Sequence, residues 1–222
     1  MRGSEVELRW KGEEQPGEEK QTGGKKVKEL RVRVTFLEEV LGMTCADKEI
    51  YKKYIASQAP DAPSLAEEVE ALGEDEVFEK STTIFPRDDQ GRKIFWDYQI
   101  KGFFKDACGM LRKVSGSESA KIRAYKKEID GLIFVKERKI PITEAGESDL
   151  CQRPLRGSTP QGERIALASS EAVPEGSFIE FTIQMMVDGH EKVVREWLDY
   201  GEFRGMGQWR NSGKGRFKWE EL

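Results

Sequence analysis

Between residues 30 and 36 the chain alternates Leu30, Val32, Val34 and Phe36 with Arg31, Arg33 and Thr35. Successive side chains of a strand point to opposite faces, so this period of two predicts a strand with one buried and one wet face. The clearest helical signal comes later, over 100–113. There Ile100, Phe103, Phe104, Ala107, Cys108, Met110 and Leu111 recur at spacings of three and four and form one apolar stripe. A half-wet strand and a one-sided helix cover each other's apolar faces. That restricts the chain to a layered α+β architecture.

The remaining pattern fills in that frame. A helix is expected over 44–57, with Ile50, Tyr51, Tyr54 and Ile55 on one side, before Pro60 and Pro63 break it. Ser64 and Glu67 form a capping-box signature ahead of a short helix carrying Leu65, Val69 and Leu72. Strands are expected near 77–85 and 94–98, on either side of a turn at Asp88-Asp89-Gln90-Gly91. A second basic helix over 117–129 leads to a strand over 132–142. Residues 144–165 are rich in Gly, Pro and Ser and predict a long loop. Strands over 165–173 and 178–187 meet at Pro174-Glu175-Gly176, and a helix over 191–200 buries Val194, Trp197 and Leu198. A last strand lies within 208–219. Residues 1–27, with almost no apolar content, predict a disordered tail, and 28–222 a single domain. The expected fold is a ferredoxin-like (RRM-like) antiparallel sheet with helices on one face and an inserted helical lobe.

Composition narrows the function. No apolar run approaches the ~20 residues of a membrane span, and the N-terminus has no apolar leader, so a cytoplasmic protein is expected. Cys45, Cys108 and Cys151 lie far apart without a C-x-x-C pair, and His190 is the single histidine. That spacing argues against a zinc site or a disulfide framework, and no metal or cofactor is expected. Asp88, Asp89 and Asp97 could hold Mg²⁺ for phosphodiester cleavage, but Asp-Asp-Gln-Gly reads first as a turn. The net charge of −4 is unevenly spread. Residues 99–128 carry eight Lys/Arg against three acids, while Glu67, Glu68, Glu70, Asp75 and Glu76 concentrate the acidity. A chain polarised in this way can hold an anion on one face.

The strongest functional signal is 201–217, with five glycines in 17 positions interleaved with Arg204, Arg210, Lys214 and Arg216. Gly205, Gly207, Gly213 and Gly215 allow backbone N–H groups to converge on a phosphate as a nest. The arginines supply forked donors, and Trp209 can stack a base. Lys101, Lys105 and Arg112 offer a second basic element that could share the ligand. The spacing matches neither a P-loop nor a dinucleotide-binding turn. The structural alternative is a glycine-rich turn whose arginines merely face solvent.

Helix, glycine-rich basic loop and terminal strand in this order resemble the RAMP superfamily, the ferredoxin-like RNA-binding proteins of CRISPR effector complexes. Gly205-Met206-Gly207 through Gly213-Lys214-Gly215-Arg216-Phe217 is similar to that family's glycine-rich loop. Residues 97–112 resemble its glycine-to-helix segment, Ala172 to Phe181 its strand entry, and Leu41-Gly42 the exit from the first strand. The resemblance implies a noncatalytic protein binding single-stranded RNA, alone or within a CRISPR-type complex, with oligomers allowed. Departures from the family pattern shape the expectation. Phe103 and Phe104 replace small serines. Threonine stands near position 82, where RNA-cutting members carry an aspartate. No histidine lies near the first helix. A likeness to prophage-borne proteins adds an alternative expectation: a phage-encoded anti-defence protein mimicking a RAMP subunit, which binds a host defence complex or a signal nucleotide.

Overall fold

The computed structural model describes residues 27–45, 82–159 and 162–222, with side chains described throughout these except at 45 and 155–167. In chain order the described strands are β1 (Lys28–Phe36), β2 (Val40–Leu41), β3 (Thr44–Cys45), β4 (Thr83–Ile84), β5 (Ile94–Trp96), β6 (Ile133–Val135), β7 (Lys139–Thr143), β8 (Asp149–Thr159), β9 (Gly162–Val173), β10 (Phe178–Met185) and β11 (Phe217–Glu221). Helix α1 (Asp97–Leu111) follows β5, α2 (Tyr125–Leu132) precedes β6, and α3 (His190–Arg204) follows β10. The expected helical lobe and the whole acidic stretch lie outside the described residues, as does most of the N-terminal tail.

The main sheet runs β11-β1-β10-β7-β5, with β6 beside β7 along the same edge of β10. All of its described pairings are antiparallel. Taking β6 and β7 as one interrupted strand, the order β1-α1-β6/β7-β10-α3-β11 is the βαββαβ unit of a ferredoxin-like sheet, as expected. The apolar positions of β1 do what their period requires. Leu30, Val32, Val34 and Phe36 are all at most 2% exposed. They share a core with Phe181 and Ile183 of β10, Ile100 and Phe104 of α1, and Val194 and Trp197 of α3. Phe104 and Trp197 meet at 5.4 Å between ring centroids, and the indole N–H donates to Ser119 Oγ at 2.9 Å. The opposite face stays wet. Register sets Arg33 between Glu180 and Glu220, and its guanidinium reaches both, at 2.7 and 3.3 Å. Arg33 as a donor holds the Glu180 carboxyl below the usual glutamate value.

The second sheet, β2-β9-β4-β3 with β8 on the other side of β9, corrects the reading of 144–165 as a long loop. The β8–β9 ladder runs unbroken from Asp149↔Ala172 to Thr159↔Gly162. Pro154 and Gly157 argue against a central strand. Among the described residues, however, β8 pairs only with β9, and an edge strand is where proline is tolerated. Smaller differences lie elsewhere. Thr44–Cys45, expected to open a helix, pairs instead with β4. The basic helix expected over 117–129 is a 3₁₀ turn at Ser119–Lys121 followed by α2. The two sheets join where Phe95 packs on Phe36 and Phe85. No described helix is long and apolar enough to cross a membrane.

Candidate nucleic-acid interface

The closing loop is built by its own backbone. Gly205, at φ 68°, ends α3, and its N–H donates to Gly201 O at 3.0 Å. Met206 N–H donates to Gly215 O at 2.9 Å, Gly215 N–H to Glu39 O at 2.9 Å, and Leu37 N–H to Arg216 O at 2.7 Å. These bonds draw the two ends of the loop into a neck. A Cβ at Gly215 would stand 1.9 Å from Met206 O, and one at Gly205 would stand 2.6 Å from Arg216 N. The space vacated there is filled by the neck itself. A Cβ at Gly207 would come 3.1 Å from Val40, whereas Gly213 faces nothing closer than 3.8 Å.

The crown differs from the neck. Trp209 stands at φ 55°, the one non-glycine residue in the left-handed region among those described. That conformation costs of order 1 kcal/mol. Among the described residues, the backbone N–H groups of Gly207, Gln208, Trp209, Arg210 and Asn211 donate no hydrogen bond. Residues 207–211, together with Arg204, line an open cleft of about 330 Å³. Five adjacent unspent donors with a left-handed residue among them form a local positive dipole that can hold an oxyanion.

Each loop cation has a carboxylate partner. Arg204 Nε and Arg210 Nη1 both donate to Asp106 of α1, at 2.9 and 2.7 Å, and Arg204 Nη1 also donates to Asn211 at 2.7 Å. Arg216 pairs with Glu38 at 2.8 Å and Lys214 pairs with Glu39. The cations on α1 face elsewhere. Lys101 Nζ donates to Asp130 O at 3.0 Å and lies over the Phe134 ring, Lys105 pairs with Asp130 at 2.6 Å, and Arg112 lies over Tyr125. Burial pushes the Lys101 ammonium below the usual lysine value, with the Asp130 carboxylate opposing. Lys105 and Asp106 are about 100° apart around the helix. The helix cations therefore sit against α2 and β6, while Asp106 reaches the loop.

One residue with a direct bearing on the site was not legible from sequence. Arg153 lies on β8, inside the stretch expected to be a loop, and is only 7% exposed. Its Nη2 donates to Gln208 at 3.1 Å, and its guanidinium carbon lies 4.7 Å from the centroid of the Trp209 ring. Its Nε and Nη1 are buried without a hydrogen-bond partner. No pattern within 144–165 marks Arg153 apart from its neighbours; only the β8–β9 pairing carries it behind the loop.

The aspartates considered for Mg²⁺ are engaged separately. Asp88 accepts from Gln90 N, Arg92 N and Arg92 Nε at 2.7–2.9 Å, the bonding of a closed turn. Asp89 pairs with Lys139, and Asp97 pairs with Arg138. Among the described residues no three His, Cys, Asp or Glu side chains stand close enough to hold a metal ion.

No protein-family model matches this chain, and no curated protein matches it. Solved structures do resemble it. A chain of a type III-B Cmr-beta complex, determined by cryo-electron microscopy bound to cognate target RNA, superposes with a TM-score of 0.52 at 14% identity, over 89% of this chain. This chain spans 61% of the length of that one. A chain of a type IV-B CRISPR complex superposes over 88% of this chain and 90% of its own, with a TM-score of 0.46 at 11% identity. The first likeness is one of fold, shared with a chain of the type III-B Cmr-beta complex.

Proposed function

We propose that this chain is a noncatalytic RAMP-like protein that holds the phosphate backbone of single-stranded RNA at its closing loop, within a CRISPR-type complex. The observation that carries this reading is the crown at 207–211, with its unspent amides, its left-handed Trp209 and its flanking arginines. A row of amide donors reads phosphate without reading sequence, and an exposed indole accepts any base. The motifs similar to the RAMP family and the fold shared with a chain of an RNA-bound Cmr-beta complex support the same conclusion. So does the construction of the loop, whose ion pairs to Asp106, Glu38 and Glu39 hold it in a fixed shape before a ligand arrives.

Filter binding to single-stranded RNA tests it. The protein should bind at low salt, with affinity falling steadily as salt rises, because phosphate contacts release counterions. Arg210→Ala combined with Arg216→Ala should weaken binding by roughly tenfold. Absence of affinity at low salt, or a double variant that binds as well as the parent, would sink the proposal.

A further inference from the structure

Arg153 poses a question that the loop by itself does not answer. A guanidinium does not lose its proton in proteins, and burying it without a counter-charge is costly. Yet Arg153 is 93% buried, as its 7% exposure implies, and no described carboxylate pairs with it. The four cations of the loop are neutralised by Asp106, Glu38 and Glu39, whereas Arg153 has no such partner among the described residues. The side chain that covers it, Trp209, is the one held in a strained backbone conformation, with 38% of its surface still exposed. A charge without a described counter-ion and backbone strain thus meet at one contact, 4.7 Å from guanidinium to ring. A fold under no further demand would relieve both, with a carboxylate behind the loop and a glycine at its crown.

We infer that Arg153 and Trp209 form a single-nucleotide site, a deepening that rests on the RNA-binding reading above. The base stacks on the outer face of the indole while the guanidinium backs the inner face. The phosphate lies in the adjoining cleft against the amides of 207–211. Arg153 supplies that cleft with a positive charge that no described carboxylate cancels, and burial keeps solvent from screening it. Gln208 ties the two halves together, since its side chain accepts from Arg153 and the residue lines the cleft. Because Trp209 is already ordered against Arg153, stacking a base on it needs little further loss of side-chain freedom. The ligand class is therefore a nucleotide unit, aromatic ring and phosphate together, and free phosphate alone engages half of the site.

The test uses the full chain, oligouridylate as the probe, and thermal melting without RNA as a second readout. Arg153→Met should lose roughly tenfold in affinity, because the stacked and charged contacts act together. Its melting temperature should equal or exceed that of the parent, since methionine fills the space without an unpaired charge. Trp209→Ala should lose a similar factor, and Trp209→Phe should retain most of the binding. If Arg153→Met binds as the parent does while Arg210→Ala with Arg216→Ala still weakens binding, this site is wrong and the loop reading stands. A drop in melting temperature in Arg153→Met, with or without lost affinity, also overturns the inference, because a structural arginine predicts it. If the parent itself fails to bind, the loop reading falls and takes the site with it.

Discussion

The two basic stretches of this chain use positive charge in different ways. On α1 and its C-cap, Lys101, Lys105 and Arg112 lie against α2 and β6, Lys101 and Arg112 across aromatic rings and Lys105 paired with Asp130. In the closing loop, Arg204, Arg210, Lys214 and Arg216 are tied to carboxylates from α1 and from the turn after β1. The first set acts as packing with charged tips. The second acts as scaffolding that shapes a backbone surface. Basic composition alone does not separate the two. What a cation does depends on which carboxylate or ring the fold brings to it.

The largest expected effect separates neck from crown. Gly215→Ala places a methyl against Met206 O and should cost about 3 kcal/mol or more in chemical denaturation, abolishing RNA binding with it. Gly213→Ala, at φ 84° but with nothing closer than 3.8 Å to the added methyl, should cost about 1 kcal/mol and leave binding largely intact. Equal costs at the two positions would break the distinction.

A smaller effect addresses the scaffolding claim. Asp106→Asn releases Arg204 and Arg210 together. It should cost roughly 1 kcal/mol of stability, since all three side chains remain partly solvated. It should also steepen the salt dependence of RNA binding by about one phosphate contact. An unchanged slope would mean that these arginines are not held back by Asp106.

On the helix the expectation is weaker still. Lys101→Ala with Lys105→Ala should alter RNA affinity by less than about threefold and leave the salt slope unchanged. A loss as large as that of the loop variant would join the two basic stretches into one RNA-binding surface.

The smallest effect lies on the wet face of the main sheet and serves as a control. Glu180 is held below the usual glutamate value by Arg33. Its stabilising contribution is therefore present at neutral pH and is lost as pH falls through the glutamate range, near about 4.3 and below. Arg33→Ala should flatten the acid limb of the stability profile, measured by urea midpoints, and leave RNA binding at neutral pH unchanged.

Much of the frame was legible in the sequence because it rests on local periodicity. The period of two in β1 and the three-four spacing in α1 each name a face, and two named faces define a layer. The hairpin β8–β9 was not legible for the opposite reason. Pro154 and Gly157 are read locally as breakers, while the tolerance of an edge strand is a property of where the sheet ends. The site divides along the same line. Glycine spacing marked the loop, but the neck uses Gly205 and Gly215 for close backbone packing. The partners of the loop cations, Asp106, Glu38 and Glu39, lie about 100 to 180 residues away in the chain. Arg153 depends on strand pairing, which no spacing encodes. Sequence locates the loop, and the contacts that give it charge and shape come from distant segments.

Photo-cross-linking asks whether RNA lies on the crown of the closing loop. Single-stranded RNA carrying a photoreactive uridine would be irradiated on the full chain and the attached peptide identified by mass spectrometry. Attachment is expected within 207–211, strongest at Trp209. Attachment to the wet sheet face around Arg33, Phe178 and Trp219, with none in the loop, would contradict it.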